Sequence, residues 1–316
     1  MPSQDFLHLA KQLEAGDPAA APAIVTLAEA GDPDALFKAA EFRLTGTAGP
    51  VDPAASFRFM AEAARRGHVE ARRAEAYYTA LGLGCRRNLA RARAMLEALA
   101  AEDRFVAIQL ALLDHVACGK RLKTAERRVL SADPHVELIP ALFSREECRY
   151  IQLLAAPWLE PAMIMATGGK GVRDLHRDSD NAVITPMRED LVIQAVNRCI
   201  AEASGTGVGW GEPLHVLRYG PGQQYRPHHD AHAFGPVKKR RVATALLYLN
   251  EEYEGGETHF PKLGFQVSAG TGDLLIFHNL DKDKQPDPRM IHAGRPVKSG
   301  RKWVAMRWIQ GGNYFG

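Results

Sequence analysis

The chain has 316 residues, 46% of them hydrophobic, with a formal net charge of +3. That length suits two domains with real cores, and so small a charge argues against nucleic acid or an anionic membrane surface as partner. Cys85, Cys118, Cys148 and Cys199 lack C-x-x-C spacing, which predicts reduced thiols rather than a disulfide framework or a zinc site. The first residues show no basic region followed by an apolar stretch, and no run approaches the eighteen or so apolar residues of a membrane span. The expectation is a cytoplasmic protein with no membrane contact.

About a quarter of the first hundred residues are alanine, at helical spacing. The stretch from Ala28 aligns with the stretch from Glu62 at an offset of 36 residues: Gly31 with Gly67, Ala35 with Ala71, Ala40 with Ala76, Phe42 with Tyr78, Gly46 with Gly82. A weaker third copy places Ala107 in the register of Ala71. A period near that of tetratricopeptide repeats predicts paired helices. Small alanines let such helices pack closely, and the glycines suit the turns between them. The predicted domain is residues 1–122. The basic stretch K-R-L-K-T-A-E-R-R after Gly119 holds the boundary.

From Val136 the composition shifts toward β-branched residues and turns. Ser144 and Glu147 make a capping box that opens a helix through Leu154, and Leu191, Val192, Ala195, Val196 and Ile200 predict a second helix over 188–203. Short strands follow at 214–219, 225–228, 241–249, 274–278 and 303–309, separated by Gly- and Pro-rich turns. Lys238, Lys239, Arg240 and Arg241 form the tightest basic run, read as a solvated loop.

The chemistry-bearing stretch is Y-G-P-G-Q-Q-Y-R-P-H-H-D, residues 219–230. Residues i and i+2 of an extended strand point the same way, so His228 and Asp230 converge while His229 turns to the opposite face. His292 is a third candidate ligand. Two imidazoles and one carboxylate form the facial triad of non-haem Fe(II) oxygenases, which leaves coordination positions open. His232, His259 and His278 have no comparable register and read as surface or hydrogen-bonded histidines. In K-W-V-A-M-R-W the strand period puts Lys302, Val304, Met306 and Trp308 on one face. A lysine facing inward calls for an anion to meet it, which a dicarboxylate would supply.

From about Val129 to Ile309 the chain resembles the catalytic domain of prolyl 4-hydroxylases, which are Fe(II)- and 2-oxoglutarate-dependent dioxygenases. The resemblance rests on R-D-S at 177–179, L-H-V-L-R-Y-G-P-G-Q-Q-Y-R-P-H-H-D, R-V-A-T-A-L-L-Y-L-N, G-G-E-T-H-F-P, G-D-L-L-I-F and H-A-G-R-P-V-K-S-G-R-K-W, in that order. It implies a double-stranded β-helix (jelly-roll) domain over 129–316 with flanking helices; with the N-terminal helical repeats, whose pattern resembles the Sel-type relatives of tetratricopeptides, the chain is expected to be α+β.

The resemblance further implies catalytic metal ligands His228, Asp230 and His292. Lys302, Tyr219, Thr258 and Trp308 would hold 2-oxoglutarate. Arg177 and Ser179 would sit on a mobile loop that folds over a peptide, a reading that rests on the glycines of the preceding stretch 165–174. Fe(II), 2-oxoglutarate and O₂ would take part, with ascorbate as reductant. The leading expectation is hydroxylation at C4 of a proline in a peptide or protein, with release of succinate and CO₂. The repeats would either recruit that protein or only stabilise the fold. Alternatives are a free amino acid or other small metabolite as substrate, then nucleic-acid demethylation, then a non-catalytic interaction protein. Met290 departs from the family's usual serine, and the 230–241 loop is short, both bearing on the substrate entrance.

Overall fold

The computed structural model describes residues 2–113, 118–165, 171–173, 177–231 and 236–314. The expected loop at 165–174 lies largely outside these residues, as do His232 and the middle of the 230–241 loop. Ten helices run along the described chain: α1 (Gln4–Glu14), α2 (Ala20–Glu29), α3 (Pro33–Thr45), α4 (Pro53–Arg65), α5 (Val69–Leu81), α6 (Leu89–Leu99), α7 (Arg104–Leu113), α8 (Cys118–Thr124), α9 (Arg145–Ala155) and α10 (Leu191–Ala203). None is long and apolar enough to cross a membrane.

The chain divides into two compact units, Met1–Asp114 with Pro186–Gln194, and His115–Thr185 with Ala195–Gly316. In the first unit the 36-residue offset reappears at the helix ends. Asp32 caps α3 and His68 caps α5, each accepting from the backbone three residues on. Asp52 and Asn88 do the same for α4 and α6. Gly46 and Gly82 end α3 and α5 in the left-handed region, at φ 79° and 77°, which L side chains adopt only with strain. Buried alanines 35, 39, 40, 63, 71 and 74 line the packed faces with Ile24, Met60 and Tyr78. Segment 186–194 belongs to this unit because Leu191 packs with Tyr77, Leu96 and Val106. Sequence proximity could not show that. Helix α10 starts at 191, not 188, because Asp190 accepts from Ile193 N (2.9 Å) and so caps it.

In the second unit the strands are β1 (Arg128–Ser131), β2 (Val136–Ile139), β3 (Glu160–Pro161), β4 (Met163–Met165), β5 (Gly171–Arg173), β6 (Asp180–Ile184), β7 (Leu214–Tyr219), β8 (Tyr225–His228), β9 (Arg241–Tyr248), β10 (Tyr253–Gly255), β11 (Thr258–Phe260), β12 (Phe265–Val267), β13 (Leu274–His278), β14 (His292–Gly294), β15 (Val297–Gly300) and β16 (Lys302–Gln310). An eight-stranded sheet has the order β1-β2-β13-β9-β16-β7-β6-β3, and a four-stranded sheet the order β12-β11-β14-β8. All pairings are antiparallel, consistent with an oxygenase jelly roll. One core joins the two sheets. Leu217, Tyr219, Leu246, Tyr248, Leu275, Phe277, Val304, Met306 and Trp308 of the large sheet pack with Phe260 and Val267 of the small one. The alternation along β16 therefore holds as read: Val304, Met306 and Trp308 enter this core from the face that also carries Lys302.

Helix α9 flanks the large sheet, with its capping box at Ser144 and Glu147 as expected and Gln152 donating to Leu249 O. Cys85 and Cys148 carry free thiols, but Cys199 is disulfide-bonded. This corrects the expectation of four reduced cysteines. Pairing depends on Cβ separation in the fold, which sequence spacing does not report.

Candidate metal centre

His228 ends β8 and His292 begins β14, and the two lie directly opposite in the antiparallel register. Asp230 follows two residues after His228. One ligand atom from each of the three lies within 4.8 Å of the others. The Nε2 atoms of His228 and His292 stand 3.6 and 3.5 Å from the Asp230 carboxylate oxygens. Among the described residues this is the one such cluster of three.

The backbone fixes which ring nitrogens face the cluster. His228 Nδ1 lies 2.8 Å from Arg226 O, and His292 Nδ1 lies 3.0 Å from Met290 O. A carbonyl only accepts, so each Nδ1 must donate, and Nε2 is the nitrogen each ring turns toward the cluster. Burial holds His292 well below the ordinary imidazole range, at about 4, against the pull of Asp230 toward the charged form. Burial alone would raise the Asp230 carboxyl. The adjacent His292 and His228 and the Thr244 hydroxyl outweigh it and hold the group ionised. Two imidazoles and one carboxylate are the donor set a divalent iron accepts, so these residues fit the ion.

His229 lies apart from the cluster. Its Nδ1 accepts from Ala231 N (3.0 Å) and its Nε2 donates to Asp287 O (2.9 Å), which occupies both nitrogens. Around the triad the packing is aromatic. Tyr225 stacks on His228 with ring centroids 3.5 Å apart, and Phe277 meets His292 edge-on at 4.8 Å.

His228 and His292 line a cavity that is also lined by Lys302, Tyr219 and Thr258. Lys302 is buried, and its ammonium donates to Gly256 O (2.7 Å). Burial pulls it down to about 8, with Glu257 opposing. It lies 5.2 Å from the Tyr248 ring and 6.0 Å from the Tyr219 ring. Thr258 shares a hydrogen bond of 2.7 Å with the Tyr248 hydroxyl. Arg295 lines the same cavity. Neither Tyr248 nor Arg295 was singled out from sequence, although Tyr248 lies two residues from Leu246 on the inward period of β9.

Trp308 is brought to the core but not to that cavity. Its ring stacks under the Arg241 guanidinium at 3.5 Å and meets His215 edge-on at 4.9 Å, and its Nε1 has no hydrogen-bond partner among the described residues. Arg241 corrects the reading of 238–241 as a solvated run. It is mostly buried and forms a two-pronged ion pair with Glu212, at 2.7 and 2.9 Å. A basic tetrapeptide at the mouth of a strand cannot tell by composition which side chain turns inward. Arg177 and Ser179 are both buried. The Arg177 guanidinium lies 5.4 Å over the Tyr225 ring, on the ring that covers His228, while Ser179 neighbours Tyr219.

Residues 214–310 match the model of the 2OG-Fe(II) oxygenase superfamily. The chain is 36% identical over 208 residues to prolyl 4-hydroxylase 1 of Arabidopsis thaliana, covering 60% of this chain and 74% of that one. It is 31% identical over 226 residues to prolyl 4-hydroxylase 13 of the same plant, covering 64% and 79%. Among solved structures it is similar to the 2OG complex of the viral collagen prolyl hydroxylase of Paramecium Bursaria Chlorella virus-1, at 29% identity and a TM-score of 0.46, covering 55% of this chain and 95% of that one. With 36% identity over 74% of the length of prolyl 4-hydroxylase 1, and with two histidines and an aspartate converging, the chain belongs to the prolyl 4-hydroxylase family of Fe(II)- and 2-oxoglutarate-dependent oxygenases.

Proposed function

We propose that this protein hydroxylates a proline within a peptide or protein, at C4, consuming 2-oxoglutarate and O₂ and releasing succinate and CO₂. The observation that carries this reading is one cavity lined both by His228 and His292 of the three-residue cluster and by the buried Lys302. A buried ammonium with no ion pair at contact distance among the described residues, held by a carbonyl and flanked by two tyrosine rings, is incompletely compensated. A dicarboxylate would pair with Lys302 at one end and reach the metal at the other.

His228, Asp230 and His292 would hold the iron, which supplies O₂ activation when bound. Lys302, Tyr219 and Thr258 would orient 2-oxoglutarate. The apolar lining of Leu217, Leu246, Val304 and Met306 excludes water from the cosubstrate. Arg177, Ser179, Trp308 and Arg241 would form the side on which the peptide lies, a reading supported by the Arg177–Tyr225–His228 stack and by the Arg241–Trp308 pair. Ascorbate would return the iron to Fe(II) after uncoupled turnover.

The helices of the expected repeat domain, residues 1–122, read as Sel-type repeats that recruit the protein substrate. The recurrence of N-caps and αL glycines at 36 residues supports it. The test is 2-oxoglutarate turnover by protein loaded anaerobically with Fe(II), with and without proline-containing peptides, read as succinate and as +16 Da on the peptide. Peptide-stimulated turnover with the mass gain on proline is expected. Slow uncoupled turnover alone would move the substrate to a small molecule, and no 2-oxoglutarate binding would remove the enzyme reading.

A further inference from the structure

Thr244 lies on the inward face of β9, in the row Thr244, Leu246, Tyr248, and is fully buried. Valine has the same shape and suits a strand as well, so the hydroxyl needs a reason. It donates to Asp230 Oδ2 at 2.7 Å. It accepts in turn from Asn279 Nδ2 at 2.9 Å. The roles are forced: an ionised carboxylate can only accept, so the hydroxyl proton goes to Asp230 and the amide nitrogen must supply the other bond.

Asn279, also fully buried, is anchored by its backbone. Its N–H donates to Val242 O (2.9 Å) and its carbonyl accepts from Asp287 N (3.0 Å). Asp287 O accepts from Met290 N (2.9 Å) and from His229 Nε2 (2.9 Å). Met290 O accepts from His292 Nδ1 (3.0 Å). Hydrogen bonds joined through the backbones of Met290, Asp287 and Asn279 thus link the distal histidine to Thr244 and the carboxylate. Neither side chain touches the reacting atoms.

We propose that Thr244, backed by Asn279, is a positioning residue that fixes the rotation of the Asp230 carboxylate and so sets how tightly a divalent cation is held. The proposal rests on the reading of His228, Asp230 and His292 as metal ligands. Partners of this kind typically change metal affinity 10–100-fold when removed. Hydrogen bonds to a carboxylate gain from the low dielectric of such a site.

The experiment is calorimetric titration of the metal-free protein with Mn(II), a redox-silent stand-in for Fe(II), on wild type, Thr244→Val, Thr244→Ser and Asn279→Ser. Circular dichroism and thermal midpoints of the metal-free proteins report whether each variant is folded. Thr244→Val is expected to weaken Mn(II) binding about 10–100-fold and Thr244→Ser to restore it, with Asn279→Ser between. Wild-type affinity in Thr244→Val would overturn the proposal, as would a serine variant as weak as the valine one. Should Thr244→Val fail to fold, an unchanged affinity in Asn279→Ser would overturn it instead. A wild-type protein that binds no Mn(II) would bring down the metal reading itself, an outcome distinct from unaltered binding by the variants.

Discussion

His228 and His292, 64 residues apart in the chain, face each other across the β8–β14 ladder, with ring centroids 4.3 Å apart. The pairing is set by strand register. A slip by one residue would turn one of the two rings to the opposite face.

Removing either ring should therefore be lethal to the chemistry, and removing the residue between His228 and Asp230 should not. His228→Ala and His292→Ala are expected to abolish succinate formation. His229→Ala should keep it, because both of its nitrogens serve the fold, and should lose about 1–2 kcal/mol of stability from two hydrogen bonds. Succinate release and chemical denaturation check this. A dead but folded His229→Ala would show that the ligand register is wrong.

Lys302 should give opposite pH trends for stability and for cosubstrate binding. The unfolded chain keeps this proton up to about pH 10.4, whereas the folded protein begins to release it near 8. Between these values the unfolded state binds more protons, so stability without 2-oxoglutarate should rise with pH. A dianionic cosubstrate prefers the charged lysine, so its affinity should fall above pH 8, by up to about tenfold per pH unit. Lys302→Met should lose both trends and most of the cosubstrate affinity. Calorimetry with 2-oxoglutarate and metal from pH 7 to 9 checks it.

Phe260 should couple core packing to the metal site. Its ring is fully buried between Phe265, Phe277 and the imidazole of His292, at 5.3, 5.3 and 5.7 Å. Phe260→Ala is expected to cost about 3–5 kcal/mol and to weaken metal binding, whereas Phe260→Leu should cost less on both counts. Denaturation midpoints and Mn(II) titration read the two effects.

Gly82 tests the helical unit separately. Its φ of 77° lies in the left-handed region, and a Cβ there would meet Arg87 Cβ at 2.9 Å. Gly82→Ala is expected to destabilise the first unit by about 1–2 kcal/mol and to leave Mn(II) affinity unchanged. A loss of metal binding in that variant would show that the second unit depends on the first.

Local rules made much of the molecule legible. The inward period of Lys302, Val304, Met306 and Trp308 and the Ser144–Glu147 capping box follow from backbone geometry over a few residues, and local geometry is written in sequence; Asp230 converges with His228 although it lies in a bend just past the end of β8. What the sequence left open is long-range. The packed fold brought Thr244 and Asn279 behind Asp230, Glu212 against Arg241, and Tyr248 beside Thr258. It also buried Arg177 and Ser179 and left Cys199 disulfide-bonded. Each of these depends on which distant segments become neighbours and on how much water they exclude. That is decided only when the two sheets close on a common core, because burial and cross-sheet distance are properties of the packed molecule and of no segment alone.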